Sequence, residues 1–222
     1  MTQIRRLGAE RYGIALVLIL ASMVFIMAAP DGRWADLISL NLQAFALFAS
    51  TRAAQPNFRL RVAVGVIIGL IIFAAWTQAA FTSSIDGDFV HIATLALVLI
   101  ATPVIGWGLV SQVRKRGRIT THTMMGVLCI YLLMSRAFAA AFGAIATVSG
   151  DPFFTQGAEW DTTNSYLYYS LTTITTVGMG DLSPATNLGR SLTAAEALIG
   201  QIYVITVVAV CLYTHLTLPT IA

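Results

Sequence analysis

Long apolar runs separated by short polar loops dominate the pattern of this chain. A helix needs about 20 predominantly apolar residues to cross the hydrocarbon core of a bilayer. Six runs reach or approach that length, and the second is the weakest because it carries Asp36, Asn41 and Gln43. The pattern predicts six membrane-spanning helices, over residues 12–29, 34–50, 62–81, 89–110, 123–142 and 187–212.

The sign of the charged residues alternates between successive loops. Cytoplasmic loops of membrane proteins collect Lys and Arg. If the N-terminus lies inside, ten of the cationic side chains fall on the inner side: Arg5, Arg6, Arg11, Arg52, Arg59, Arg61, Arg114, Lys115, Arg116 and Arg118. The outer loops then hold Asp31, Asp86, Asp88, Asp151, Glu159, Asp161 and Asp181, with Arg33 and Arg190 as the only outer cations. This alternation supports six spans with both termini in the cytoplasm.

A cleaved secretory signal is the competing interpretation of the first run, because Arg5 and Arg6 precede an apolar stretch that ends in small residues. The run is longer than a usual signal core, and its removal would leave an odd number of spans before the last outer loop. We therefore interpret it as a membrane helix. The tail 214–222 breaks the helical pattern, and we treat it as a short extension, native or non-native, without a function.

Composition agrees with an integral membrane protein. Hydrophobic residues make up 57% of the 222 residues and charged residues 10%, whereas charged residues are about a quarter of ordinary soluble chains. The net charge of +3 follows from the topology, so we expect no nucleic-acid partner and no identifiable soluble one. Two cysteines in apolar runs and three scattered histidines predict neither a disulfide framework nor a metal-dependent enzyme.

One polar stretch between the last two spans carries the candidate chemistry. Residues 175–184 read Thr-Thr-Val-Gly-Met-Gly-Asp-Leu-Ser-Pro. A pore that strips water from a cation must replace the hydration shell with oxygens, and backbone carbonyls supply them. Successive carbonyls face one side only if the backbone conformation alternates, which glycine allows at low cost. Gly178 and Gly180, two residues apart, fit that requirement.

This stretch resembles the selectivity filter of the tetrameric potassium channels, whose usual form is Thr-Val-Gly-Tyr-Gly-Asp. The resemblance covers about residues 121–212. Residues 166–175 resemble the short pore helix, with Tyr168 and Tyr169 where many members carry a Trp pair. Gly200 falls at the position of the hinge glycine of the inner helix.

The resemblance implies a role for each residue of the stretch. Potassium ions, with no other cofactor, would be bound through the backbone, and the Thr176 hydroxyl would complete the innermost site. Asp181 would concentrate cations at the mouth and tie the filter to the pore helix, with Tyr169 as its candidate partner, while Thr172 and Thr175 support the filter. The ion-binding set is Thr176, Val177, Gly178, Met179 and Gly180. One subunit supplies one filter strand, so the expected working unit is a homotetramer.

Three departures from the family pattern keep alternatives open. Met179 replaces the filter aromatic, Thr172 stands where some members have a glutamate, and no tyrosine collar braces the outer turn. A potassium channel and a non-selective monovalent cation channel are therefore both hypotheses. A non-conducting membrane receptor or scaffold, in which the stretch is an ordinary loop, is the hypothesis from a different class.

Two ionisable residues lie inside the last two spans. Counting about 1.5 Å per residue places Arg136 roughly 22 Å from the inner end of its helix and Glu196 roughly 13 Å below the outer end of the next. In a core about 30 Å thick these depths nearly coincide. We predict a structural ion pair between them; the alternative is that Arg136 reaches the outer interface and Glu196 bonds locally.

The expected architecture is all-helical and embedded in a lipid bilayer, and the expected location is the cytoplasmic (inner) membrane of a bacterium. Residues 1–120 would form a four-helix domain that lacks the regularly spaced arginines of a voltage sensor. Residues 121–213 would form the pore domain of outer helix, re-entrant pore helix, filter loop and inner helix.

Overall fold

The structure, a computed structural model, is mostly helical. It describes residues 3–28, 58–81 and 121–209, and the isolated positions 38, 41, 42, 44, 45, 48 and 96. The helices are α1 (Gln3–Ala28), α2 (Phe58–Phe81), α3 (Thr121–Ser149), α4 (Thr163–Ile174) and α5 (Asn187–Tyr203). A 3₁₀ turn, Ala158–Trp160, precedes α4, and a π-helical turn, Val204–Val208, follows α5. The predicted spans 34–50 and 89–110 lie outside the described residues apart from those isolated positions.

Length and apolar character single out α3 within the described ranges. Its part Met124–Ser149 is long and apolar enough to cross a bilayer, and Gly13–Ala28 and Gly65–Ala74 are shorter apolar helices. The predicted fifth span, 123–142, therefore extends seven residues further, to Ser149. The count of six spans stays a prediction.

The first helix packs one face against α3 and leaves apolar side chains on the other. Its buried positions recur every three or four residues, which is the spacing of one helical face. They are Ala15, Ile19, Met23 and Ile26. Apolar side chains that remain exposed in the single chain include Ile14, Val17 and Val24. A helix apolar all round is typical of a membrane span.

Aromatic side chains join the end of α3 to α4 and to the loop between them. Phe142 of α3 lies with its ring centroid 4.9 Å from that of Phe153, and Phe153 lies 5.0 Å from Phe154. The Phe154 ring stacks on Tyr166 of α4 at 5.4 Å. All four are at most 2% exposed. This cluster fixes the loop 150–162, called the outer loop below, against α4.

Threonine caps set where the two short helices begin. Thr162 accepts a hydrogen bond from the Ser165 backbone N–H at 3.2 Å, and Thr186 accepts one from the Gly189 N–H at 3.1 Å. Such N-caps satisfy donors that the first turn of a helix leaves unpaired. As a result α4 begins three residues before the predicted 166, and α5 begins at 187 as predicted.

Candidate functional site

The C-terminus of α4 ends in a Schellman motif that runs directly into the candidate filter. The Thr176 N–H donates to the Thr173 carbonyl and the Val177 N–H to the Thr172 carbonyl, both at 2.9 Å. These are the paired bonds by which such a motif closes a helix, and its turning residue is usually glycine. Here that residue is Thr176, with φ 60°.

A β-branched residue at positive φ is an outlier, and a non-glycine residue held there costs about 1–3 kcal/mol. Thr176 can persist in this conformation because the bonds on either side of it are made to the rigid end of α4. The positive φ of Thr176 was not predicted, since only the glycines were expected to adopt that conformation.

The sign of the backbone φ angle alternates along the candidate filter. Thr176, Gly178 and Gly180 have φ of 60°, 55° and 81°, whereas Val177 and Met179 do not adopt positive φ. The conformations predicted for the two glycines are thus confirmed. A Cβ on either glycine would meet nothing within 4 Å, so glycine is required here by conformation and not by space.

The amides and the carbonyls of this segment have different partners. The Thr172 carbonyl accepts from the Val177 N–H at 2.9 Å and from the Gly178 N–H at 3.0 Å. Within the described part of the chain, no hydrogen bond reaches the carbonyl oxygens of residues 176–180. The first carbonyl beyond them, that of Asp181, accepts from the Gln156 side chain at 2.7 Å. The segment therefore presents an unbroken run of available carbonyl oxygens.

Supporting threonines act mainly along α4. The Thr172 hydroxyl donates to the Tyr169 carbonyl at 3.0 Å, and the Thr175 hydroxyl donates to the Leu171 carbonyl at 2.6 Å. Thr172 therefore supports the filter through its backbone carbonyl, while its side chain stays within the helix. The Thr176 hydroxyl, in contrast, has no hydrogen-bonding partner among the described residues and remains available to a ligand.

The two adjacent tyrosines have different partners from those expected. The Tyr169 hydroxyl lies 3.0 Å from the Thr193 hydroxyl of α5, so Tyr169 ties α4 to α5. The Asp181 carboxylate instead hydrogen-bonds Tyr168 and thereby raises the pKa of that phenol. The proposed Tyr169 link to Asp181 is thus wrong by one residue, which is a rotation of about 100° around the helix.

A cavity of about 300 Å³ lies between α4, the filter segment and α5. Its wall includes both backbone and side-chain oxygens of the candidate site. The lining includes Tyr169, Thr172, Thr176, Met179, Asp181 and Thr193. Val177 and Met179 are 57% and 66% exposed in the single chain. Both side chains are therefore free to contact a further subunit.

The predicted ion pair between Arg136 and Glu196 is wrong. Glu196 is fully buried and accepts a hydrogen bond from the Ser170 hydroxyl of α4, while its second carboxylate oxygen has no hydrogen-bonding partner among the residues that the structure describes. Arg136 points to α1, where its guanidinium donates to the Ser22 hydroxyl at 3.3 Å. The two side chains leave their helices in different directions, Arg136 toward α1 and Glu196 toward α4.

Ser135, the neighbour of Arg136, is linked to Glu196 through Ser170 of α4. Ser135 lies one residue earlier on α3 and so faces a different side of that helix. The Ser135 carbonyl oxygen lies 2.6 Å from the Ser170 Oγ, and the Ser135 hydroxyl, which can donate to that Oγ, lies 3.0 Å from it. A buried polar cluster of Ser135, Ser170 and Glu196 thus joins α3, α4 and α5.

Gly200 marks the closest approach of α5 to the end of α4. A Cβ at this position would lie 2.5 Å from the Ile174 Cγ1 and 2.7 Å from the Ile174 carbonyl oxygen. That carbonyl also accepts from the Tyr131 hydroxyl at 2.9 Å. α5 runs without a break through Gly200 and changes to the π-helical turn only at Val204. A hinge role for Gly200 stays a prediction; close packing is what its geometry requires.

Residues 127–214 match the family model described as "Ion channel". The match covers less than half of the chain, and it includes α4, the filter segment and α5. No curated protein and no solved structure matches. The matched family supports an ion-channel pore module in an integral membrane protein, and a protein that is not an enzyme.

Replacing Gly200 by alanine should destabilise the protein. The added Cβ would overlap backbone atoms of Ile174, and overpacking typically costs about 1–3 kcal/mol. We expect a lower midpoint in thermal unfolding of the detergent-solubilised protein. Gly69→Ala is the matched control, because that helical glycine has nothing within 4 Å of a Cβ. An unchanged midpoint for Gly200→Ala would contradict the close packing.

The buried cluster predicts energetic coupling between Ser170 and Glu196. Ser170→Ala strands a buried carboxyl oxygen, which should cost about 1–3 kcal/mol. Adding Glu196→Leu removes the stranded group, so the double mutant should lose less than the sum of the single losses, as a double-mutant cycle of thermal stability measures. The control cycle pairs Arg136→Met with Glu196→Leu, whose losses should add. If instead the Arg136 and Glu196 losses were coupled and the Ser170 and Glu196 losses were additive, the result would support the ion pair between Arg136 and Glu196.

Proposed function

We propose that the chain is one subunit of a potassium channel that conducts passively down the electrochemical gradient. The observation that carries the proposal is the run of backbone carbonyls at residues 176–180. These carbonyls accept no hydrogen bond from the described residues, and the sign of φ alternates along the segment. Dense neutral carbonyl dipoles can replace the hydration shell of a monovalent cation. The ion-channel family match over the same residues gives independent support.

In the proposed assembly, four copies surround a central axis and each supplies one filter strand. Potassium is coordinated by the backbone of Thr176, Val177, Gly178, Met179 and Gly180, and the Thr176 hydroxyl completes the innermost site. α4 is the re-entrant pore helix, α3 the outer helix and α5 the inner helix. Six spans place both termini in the cytoplasm of a bacterial cell, with the filter facing outward.

Flux through the purified protein in liposomes tests the proposal. Potassium uptake should exceed sodium uptake by at least about tenfold, which corresponds to about 1.4 kcal/mol of discrimination. Equal uptake of both ions would favour the non-selective cation channel. No uptake of either ion by a correctly assembled oligomer would favour the non-conducting receptor or scaffold.

The non-selective channel is retained because of Met179. Its thioether is flexible and has no hydroxyl to hydrogen-bond, so it holds the filter less firmly than the tyrosine of the family pattern. The side chain is 66% exposed in the single chain. Reversal potentials under potassium and sodium gradients separate the two channel hypotheses.

Gly178→Ala should abolish potassium conduction. An alanine at φ 55° is disfavoured by about 1–2 kcal/mol, and relief of that strain turns a carbonyl out of line. The measurement is potassium flux into liposomes with the variant confirmed as a folded oligomer.

Gly150→Ala is the matched control for Gly178→Ala. Gly150 has φ 69° and equally open surroundings, but it ends α3, away from the filter segment. The control carries the same backbone penalty and should still conduct. Full potassium flux through a folded Gly178→Ala oligomer would refute the proposed coordination.

Met179→Tyr should hold or sharpen the preference for potassium over sodium. A ring with a hydroxyl packs more rigidly than a thioether and can hydrogen-bond a neighbouring group. Met179→Leu, of similar size and without a hydroxyl, is the control and should leave the preference near wild type. The permeability ratio from reversal potentials reports the effect, and a large loss of preference in Met179→Tyr would contradict the comparison with the family pattern.

A further inference from the structure

The outer end of the carbonyl run is fixed by a side chain from the outer loop. Gln156 donates from Nε2 to the Asp181 carbonyl at 2.7 Å and accepts at Oε1 from the Ser183 N–H at 3.3 Å. One planar amide thus binds the backbone on both sides of Leu182. Asp181 is also the first residue after the filter whose carbonyl is engaged, so the Gln156 contact coincides with the end of the run.

The backbone that carries Gln156 is itself held firmly. The Thr155 N–H donates to the Ser183 carbonyl at 2.9 Å, and the Ala185 N–H donates to the Phe153 carbonyl at 2.8 Å. The Phe153 N–H in turn donates to the Asp161 carboxylate at 2.9 Å. Phe153 is 2% exposed within the aromatic cluster. The amide therefore projects from a platform anchored in the core, although Gln156 itself is exposed.

The need for such a contact follows from what the filter lacks. Met179 offers no hydroxyl to tie the outer filter to its surroundings, and the Asp181 side chain reaches only Tyr168 among the described groups. Without the Gln156 amide, the Asp181 carbonyl would accept no hydrogen bond from that side chain. The turn at residues 181–183 would then lose two of its backbone contacts. A less constrained turn lets Gly180 and its neighbours sample other conformations, which glycine permits at low cost.

We propose that Gln156 is a positioning residue for ion selectivity, acting by bracketing the outer end of the filter through the Asp181 carbonyl and the Ser183 amide. The inference rests on the proposed function, since it assigns to Gln156 the support of the same filter. In this role Gln156 replaces the tyrosine collar that braces the outer turn in the family pattern and that this sequence lacks.

The test compares three side chains at position 156 in the full-length protein reconstituted in planar bilayers. Gln156→Leu has nearly the same size and removes the bonds to Asp181 and Ser183, together with the bond that Oε1 accepts from the Thr155 hydroxyl at 3.1 Å. Gln156→Glu keeps an acceptor for the Ser183 N–H but places a carboxylate oxygen against the Asp181 carbonyl. Glu159→Gln is the control, because Glu159 lies in the same loop and its side chain makes no hydrogen bond within the described residues. The charge that this variant loses is screened at physiological ionic strength.

Two readouts distinguish positioning from mere stability: the potassium-to-sodium permeability ratio, and the rate at which current declines when external potassium is removed. Loss of a hydrogen bond to each of two backbone groups should lower the ratio by about three- to tenfold in Gln156→Leu. The decline of current should be faster in both Gln156 variants, and Glu159→Gln should match wild type.

A wild-type ratio and decline rate in Gln156→Leu would overturn the inference, even if its thermal stability were reduced. If Gln156→Leu does not assemble, Gln156→Glu decides, because it preserves side-chain length and the bond to Ser183. Wild-type protein that conducts no cation would overturn the proposed function itself. Wild-type selectivity with unaffected Gln156 variants would overturn the inference alone.

Discussion

The rest of the site depends on how the carbonyls at the end of α4 are satisfied. Every helix leaves its last carbonyls without intrahelical partners. Here the N–H groups of Thr176, Val177 and Gly178 satisfy them by turning back onto α4. Because these donors are used on the helix, they cannot pair the filter with a neighbouring strand. The carbonyls of the same segment remain unpaired, and an unpaired carbonyl in a protein is available to water or to a cation.

The same constraint explains why the helix must be held so firmly from behind. α4 is short, and short helices owe their stability to packing and not to propensity. Its N-terminal half lies in the aromatic cluster with Phe153 and Phe154, its middle in the polar cluster through Ser170, and its C-terminal end against Gly200. Each contact comes from a different element. A shift of α4 would therefore disturb the filter through the backbone bonds at Thr172.

Much of this could be predicted from the order of residues, because conformation and period are local properties. The glycine pair at 178 and 180 and the start of α5 at 187 follow from chemistry that acts within a few residues. Which side chains a helix presents to its neighbours does not follow from such local chemistry. Arg136 and Tyr169 were each assigned a partner on the wrong side of their helix: Arg136 donates to Ser22 and not to Glu196, and the tyrosine beside Asp181 is Tyr168. One residue is about 100° of rotation, and depth along a helix carries no information on that angle. Gln156 was missed for another reason: an exposed glutamine in a loop has no pattern, and its partner lies 25 positions away.

The packing around Gly200 points to close helix contact, and not to a hinge, as the reason for a glycine at this position. A hinge requires freedom of the backbone, yet Gly200 is where α5 approaches the Ile174 backbone so closely that no Cβ fits. Just beyond it, Tyr203 stacks on Tyr131 and donates to the Val127 carbonyl at 2.8 Å, which fastens α5 to α3. The helical hydrogen-bond register changes immediately afterwards, in the π-helical turn that begins at Val204. π-turns interrupt the regular ladder of hydrogen bonds. The irregular part of this helical segment therefore begins after Tyr203, and the part beside the candidate filter is regular and closely packed at Gly200.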